Sequence, residues 1–374
     1  MTLASTPNAA ALLTFAVATL ATALVVPLIR RLGLRWGLVD QPDHRKQHSL
    51  PMVRLGGVGI VVGFSLGLFI TWLCGGFMEL PPDKDQLIWT SLAGALCYFV
   101  IGLGDDLFAQ PPFPRLLGQV AVATAVWSQG VRISNIDLPF NLPVGGGELA
   151  HVVRLSPVLS LVATVLWLAG ITNAINWLDG LDGLAAGVSG IAAVALLSVS
   201  FSLQQPAAGL LAAALAGACL GFLRHNFNPA RIFMGDGGSY FLGFALASIS
   251  IVGPAKGLTS VSLLLPLLIL SLPLADMSAV IMGRLREGRS PFYPDRRHLH
   301  HRLLRSGLSH RRTVLMIYAF TQWLAALALV VANAEMRFLW LTLATAVLVA
   351  AVVLTRRSLQ QERDGGSNDP QGAA

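Results

Sequence analysis

Apolar runs long enough to cross a lipid bilayer recur along almost the whole chain, and no other feature narrows its fold so far. Eleven segments qualify once Gly and Pro interruptions are allowed: 9–29, 55–78, 87–103, 115–131, 155–173, 183–203, 207–223, 239–253, 259–282, 313–332 and 338–355. The bilayer core offers no water to an unpaired amide, so segments of this length cross it as helices. Composition agrees, with 54% of the 374 residues hydrophobic and only 12% charged, where a soluble domain carries about 25% charged residues. The expected fold is an all-α polytopic membrane protein, a single bundle of about eleven transmembrane helices.

Short joins between the segments argue for one multi-pass domain over residues 1–357, with a disordered cytoplasmic tail over 358–374. The stretch 132–154, with Pro139, Pro143 and Gly145 to Gly147, reads as a hairpin or an irregular cap. No repeat suggests a transporter built from inverted halves. With the N-terminus outside and the C-terminus cytoplasmic, all of the 26 Lys and Arg fall inside except Lys84, Arg132, Arg154, Lys256 and Arg337. That segregation is the one a plasma membrane imposes. The first basic residue, Arg30, follows the first apolar run. A cleavable signal has its positive residues before that run, so 9–29 reads as a retained helix. Cys74, Cys97 and Cys219 all fall in apolar segments without metal-ligand spacing and read as packing residues. The net charge of +7 is mostly the inner bias. It suits anionic substrates and membrane lipid headgroups and gives no ground for nucleic-acid binding.

Against this background, Asn173 to Gly183 reads N-A-I-N-W-L-D-G-L-D-G between two apolar runs. Polar and ionised side chains so close to lipid are costly and point to a site. The topology puts three more motifs on the same inner face: Gly104-Asp105-Asp106, Phe233-Met234-Gly235-Asp236-Gly237-Gly238-Ser239, and Asp295-Arg296-Arg297-His298-Leu299-His300-His301-Arg302. Each has a plain alternative. Asp105 and Asp106 could be a solvated acidic pair, although at a helix C-terminus they face the negative end of the dipole and repel each other. Asp182 could cap the sixth span. Asp236 could belong to a Gly-rich turn, with Ser239 as the next helix's N-cap, or its glycines could let an anion approach the helix N-terminus. The histidine run, like Arg45, Lys46 and His48, could touch anionic lipid or grip phosphate. Five carboxylates, Asp105, Asp106, Asp179, Asp182 and Asp236, converging without a cation would repel one another. A hard divalent ion shared with phosphates fits them better, which is typical of magnesium. Asp276 lies inside the ninth span, where structural pairing and catalysis are both open.

The motifs G-D-D, N-A-I-N-W-L-D-G-L-D-G-L-A, N-x-x-P-A-x-x-F-M-G-D-x-G-S from Asn226, and D-R-x-H-L-H-H-R-L resemble the polyprenyl-phosphate N-acetylhexosamine-1-phosphate transferases, the MraY/WecA/TagO superfamily. The likeness runs from about Arg45 to Tyr318 with the motifs in the family's order. H-L-H-H-R-L in place of three consecutive histidines, and R-K-Q-H-S-L-P-M-V-R-L-G-G in place of G-T-P-T-M-G-G, look like the WecA/TagO-type branch rather than the muramoyl-pentapeptide one. The resemblance implies a bacterial inner-membrane enzyme with a cytoplasmic, magnesium-dependent site, manganese being an alternative ion. It would transfer N-acetylglucosamine-1-phosphate from UDP-N-acetylglucosamine to undecaprenyl phosphate and release UMP. It implies catalytic roles for Asp105, Asp106, Asp179 and His301, and metal ligation by Asp236 with Asp179, Asp105 and Asp106. It implies substrate contacts from Arg45, Lys46, Asn176, Asp182, Asn226, Phe233, His298, His300 and Arg302, Phe233 by stacking on uracil. A homodimer is compatible with it. The rivals are a muramoyl-pentapeptide transferase, a transferase for another UDP-N-acetylhexosamine, and a transporter or flippase with an acidic cation site.

Overall fold

The structure, a computed structural model, describes residues 6–40, 52–75, 77, 80–144, 148–253, 264–291 and 297–366. Arg45, Lys46 and His48 lie outside the described residues. The chain is a helical membrane bundle. Its elements are α1 (Pro7–Arg35), β1 (Val39–Asp40), β2 (Met52–Val53), α2 (Gly56–Leu73), α3 (Pro82–Phe108), α4 (Pro112–Ser128), β3 (Asn135–Val144) and β4 (Glu148–Arg154). There follow α5 (Pro157–Leu178), α6 (Leu184–Ser202), α7 (Pro206–Asn226), α8 (Gly235–Val252), α9 (Leu264–Ile269), α10 (Ser271–Arg286), α11 (Leu299–Arg305), α12 (His310–Val331) and α13 (Arg337–Gly366).

Every expected apolar segment contains a helix, but among the described residues eight helices are long and apolar enough to cross a membrane by themselves. The other three segments show why. α4 has 17 residues. α8 opens with G-D-G-G-S, and the ninth segment is split at Leu270 into α9 and α10. Pro273 supplies no N–H to the turn before it, which accounts for the interruption. Within 132–154, β3 and β4 pair antiparallel, with a register irregularity between Asp137 and Leu142. α13 continues to Gly366, past the expected boundary at Arg357. No Gly or Pro interrupts the sequence between them until Gly365, so nothing local stops the helix.

α7 and α8 are apolar on all sides and form the centre. α1 and α2 pack on α7, while α3 and α5 pack on α8. Lipid removes the hydrophobic drive between helices, so close approach and polar links hold them. A Cβ on Gly57 would collide with the backbone of Gly238, which is how near α2 comes to α8. Thr14 and Thr71 join α1 to α2 through their hydroxyls at 2.7 Å, and Trp167 Nε1 donates to Ser250 Oγ at 2.8 Å between α5 and α8.

Candidate active site

Consecutive antiparallel helices return the ends of α3, α5, α7 and α10 and the starts of α2, α8 and α12 to one end of the bundle. The four expected motifs meet there. Asp105 and Asp106 both lie in the last turn of α3 and solve their mutual repulsion separately. Asp106 accepts from the backbone N–H groups of Asp236 and Gly237, both at 2.9 Å, so the anion seated on the N-terminus of α8 is this carboxylate. Asp105 accepts from Gln110 N at 2.8 Å and forms an ion pair with Arg115 of α4.

Asp236 projects from the first turn of α8. Asn176, in the last turn of α5, donates to Asp236 Oδ1 at 3.1 Å and to Ser239 Oγ at 2.9 Å. Ser239 therefore braces α5 against α8 from within the helix and is not its N-cap. Asp236 lies within hydrogen-bonding reach of the Asp105 carboxyl, and Arg115 Nη1 stands 3.6 Å from Asp236 Oδ2. Among the described residues no three His, Cys, Asp or Glu are gathered tightly enough to hold a metal ion by themselves.

Asp179 follows directly on α5. Burial pushes its carboxyl up to about 7, with Asp106 and Asp182 adding to the shift and Arg54 opposing it. Asp182 does not cap α6, whose N-cap is Gly183. Its Oδ2 accepts instead from Asn228 Nδ2 and Ala230 N, each at 3.0 Å, and its own N–H donates to His310 Nε2 at 2.9 Å. Asn226 is a buried cross-brace that accepts from Gly183 N at 3.0 Å and donates to Ile232 O at 2.9 Å. Phe233 is held by its backbone, its N–H donating to Val53 O at 2.9 Å and its carbonyl accepting from Gly56 N at 2.8 Å.

The histidine run folds over the D-G-L-D-G turn. His300 is buried and its ring lies directly on Gly180, where any Cβ would displace it. Desolvation lowers the His300 pKa to about 4, with His301 and His298 as further causes. The rings of His298 and His300 stack at 5.8 Å, and those of His300 and His301 lie 4.2 Å apart. His298 meets the edge of Trp177 at 5.7 Å. Arg302 is exposed on α11.

Beside this polar end runs a groove of about 620 Å³. Apolar residues of α4, α5 and α10 line its length, among them Leu116, Val165, Leu166, Met277 and Ile281. Arg115, Asn176, Tyr240, Arg284 and His298 gather its polar lining. Arg284 is itself buried, with its guanidinium 4.9 Å from the centre of the Trp177 ring.

A family model, Glycosyl transferase family 4, matches residues 88–254, which carry three of the four motifs. The probable undecaprenyl-phosphate N-acetylglucosaminyl 1-phosphate transferase of Bacillus subtilis strain 168 is 34% identical over 329 residues, covering 88% of this chain and 86% of its own length. This chain belongs to Glycosyl transferase family 4. Other relatives of this family 4 chain are similarly long. The decaprenyl-phosphate N-acetylglucosaminephosphotransferase of Mycolicibacterium smegmatis is 34% identical over 365 residues, 90% of this chain and 86% of that one. The undecaprenyl-phosphate alpha-N-acetylglucosaminyl 1-phosphate transferase of Haemophilus influenzae is 31% identical over 303 residues, 79% of each.

Two arginines of this family 4 site escape sequence reasoning. Arg115 joins Asp105 and Asp236, and Arg54 acts electrostatically on Asp106, Asp179 and Asp236. Both sit beside helix ends, where basic residues are expected anyway. The only signal was adjacency, Arg115 to the Gly104-Asp105-Asp106 turn and Arg54 to Gly56-Gly57.

Proposed function

We propose that this enzyme transfers N-acetylglucosamine-1-phosphate from UDP-N-acetylglucosamine to a polyprenyl phosphate, undecaprenyl phosphate in the first instance, and releases UMP. The observation that carries the reading is the junction of an acidic wall with an apolar groove whose polar lining includes two arginines, Arg115 and Arg284. A polyprenyl phosphate has that same division, a hydrocarbon tail for the groove and an anionic head for Arg115, Arg284 and His298. The Bacillus and Mycolicibacterium relatives, an N-acetylglucosaminyl 1-phosphate transferase and an N-acetylglucosaminephosphotransferase that act on polyprenyl phosphates, support the choice of sugar and the class of carrier. The separation of basic residues supports a site on the cytoplasmic face of a bacterial plasma membrane.

Asp105 and Asp236 face each other closely enough to share a cation. Magnesium, which usually takes one or two carboxylates and completes its shell with water and substrate phosphates, fits this donor set, with Asp179 and Asp106 beside it. When bound, the ion neutralises charge developing on the transferred phosphoryl group. The chain's own part is positioning. Asp106 ties α3 to α8 and so fixes Asp236. Asn176 orients the Asp236 carboxyl from α5. Arg115 draws the carrier phosphate toward Asp105, which orients the attacking oxygen toward the β-phosphorus of the sugar nucleotide. A phosphate monoester is largely dianionic at neutral pH, with a second pKa of about 6, so orientation matters more than proton removal. One diphosphate bond replaces another, and the step is close to isoenergetic.

UMP release by the purified protein, given polyprenyl phosphate, magnesium and each UDP-sugar in turn, tests the reading. Turnover with the muramoyl-pentapeptide donor and none with UDP-N-acetylglucosamine would reassign the sugar. No UMP with any donor would return the transporter reading.

A further inference from the structure

α11 has seven residues, too few to hold a helix alone. Its Leu299, Leu303 and Leu304 pack on a small apolar cluster apart from the main core. That cluster joins Leu178, Leu181 and Leu184, before, within and after the D-G-L-D-G turn, to Val314 and Ile317 of α12. Apolar burial is not directional, so it does not by itself fix where on the turn the segment sits. Polar contacts at the two ends do that. At the start, Asp276 of α10 accepts from Leu299 N at 2.7 Å and from His298 Nδ1 at 2.8 Å. At the far end, residues 306–309 lead to His310, the first residue of α12. Its Nε2 stands 2.9 Å from Asp182 N.

The contact at the far end assigns the protons of the ring. A backbone N–H can only donate, so His310 Nε2 offers its lone pair and the ring's one proton is on Nδ1. A proton on Nε2 would set a donor against a donor. The turn that His310 grips is itself held from the other side. Asp182 Oδ2 accepts from Asn228 Nδ2 and Ala230 N, and Gly183 N donates to Asn226 Oδ1, each at 3.0 Å. Further along α12, Tyr318 donates its hydroxyl to Gly183 O. The start of α12 is therefore seated on the same turn that carries Asp179 and, at Gly180, supports the His300 ring. Of these contacts from α12, the one made by His310 is the nearest in the chain to α11.

We propose that His310 is a positioning residue whose unprotonated Nε2 anchors the C-terminal end of the histidine segment to the Asp182 backbone, as Asp276 anchors the other end. It thereby keeps His300 seated on Gly180. His310 touches no substrate, and its effect passes through the placement of α11. The consequence for transfer rests on the reading of this site as a transferase, whereas the anchoring itself does not.

Hydrogen exchange and nitrogen-15 histidine spectra of the purified full-length protein in detergent test this. Two variants differ only in reach. Gln brings an amide oxygen to the place of Nε2, while Asn ends near the place of Nδ1, short of Asp182 N. His310→Asn should speed exchange of the α11 amides by about 3- to 10-fold, as expected for the loss of one hydrogen bond. The α8 amides should stay as they are, and His310→Gln should restore most of the protection. At neutral pH the wild-type spectrum should hold a neutral ring protonated on Nδ1, the less common tautomer, that is missing from His310→Gln. In UMP release, His310→Asn should raise substrate KM by about 3- to 10-fold with little change in kcat. Unchanged exchange in His310→Asn, equal acceleration in α8, or no rescue by Gln would overturn the proposal. So would a lost resonance that belongs to an Nε2–H ring or to an imidazolium. If His310→Asn does not elute as a folded protein, the tautomer read from wild type and His310→Gln decides. Wild-type protein that releases no UMP defeats the transferase reading, while exchange and the spectrum still judge His310.

Discussion

Asp106 and Asp236 reach each other from α3 and α8, whereas His298 and His300 ride on α11, a helix of seven residues. The acidic wall is made by long helices and fixed by their backbones: Asp106 takes two N–H groups of α8, and Asn176 of α5 ties down Asp236. The histidine wall is docked by a few contacts, one carboxylate from α10, one ring on Gly180 and one indole edge. A helix that short holds no fold of its own. Groups that must meet developing charge within a fraction of an ångström belong on the first kind of wall. Groups that admit and grip a substrate can belong to the second. Damage to the acidic wall should therefore appear in kcat, and damage to the histidine wall in KM.

The largest effect should come from Asp236→Asn or Asp105→Asn, each lowering UMP turnover at least about 100-fold in protein that remains folded. A near-normal rate in folded Asp236→Asn would remove the carboxylate from the proposed magnesium site and level the two walls. Arg115→Gln should come next, lowering kcat/KM for polyprenyl phosphate by roughly 10- to 100-fold through loss of a charged contact. Because Arg115 serves both Asp105 and the groove, its loss should move kcat and KM together, and a change in KM alone would assign it to the groove. Gly180→Ala should be milder. Its backbone tolerates Ala, but the new Cβ meets the His300 ring, and overpacking of this kind should raise substrate KM by about 10-fold at most. A fall in kcat with KM unchanged would mean that the histidine wall shares in the chemistry.

How much of this was legible in the sequence follows from what each residue costs. Asp105, Asp106, Asp236 and Asn176 stood out because polar groups at the edge of lipid need a reason, and the structure brings all four together. Arg54 and Arg115 were hidden by the inner-face bias, which supplies arginines whether or not a site uses them. Local pattern leaves Ser239 open as an N-cap, but the start of α8 is capped from another helix, by Asp106, and local pattern cannot show a partner 130 residues away. Asp182 and Asn226 are visible as polar anomalies, yet in the fold they brace the turn around Gly183 and the 228–232 loop. The helices themselves were plain from hydropathy. The break at Leu270 and the short α4 blur the count, since span length and polarity shade into each other there.

The smallest expected effect concerns pH and falls on the histidine wall alone. His300 is buried with its pKa lowered to about 4, chiefly by desolvation. The groups facing it are His301, His298 and His310, which add to the shift or share its sign, and Asp276, which opposes it. An undocked His300 would titrate near its ordinary value of 6.5. Between 6.5 and about 4 the undocked form therefore takes up a proton that the docked form refuses, and docking of α11 is favoured less as pH falls. Docking is fully supported above 6.5, and this contribution is gone below about 4. From pH 7 to pH 6 the docking equilibrium should weaken only about threefold. Hydrogen exchange of the Leu299–Arg305 amides, corrected for the intrinsic pH dependence of exchange, should show that loss while the amides of α8 do not. Protection that stays constant down to pH 5, or that falls equally in both helices, would mean that α11 is held as firmly as the acidic wall, and the contrast between the two walls would then fail.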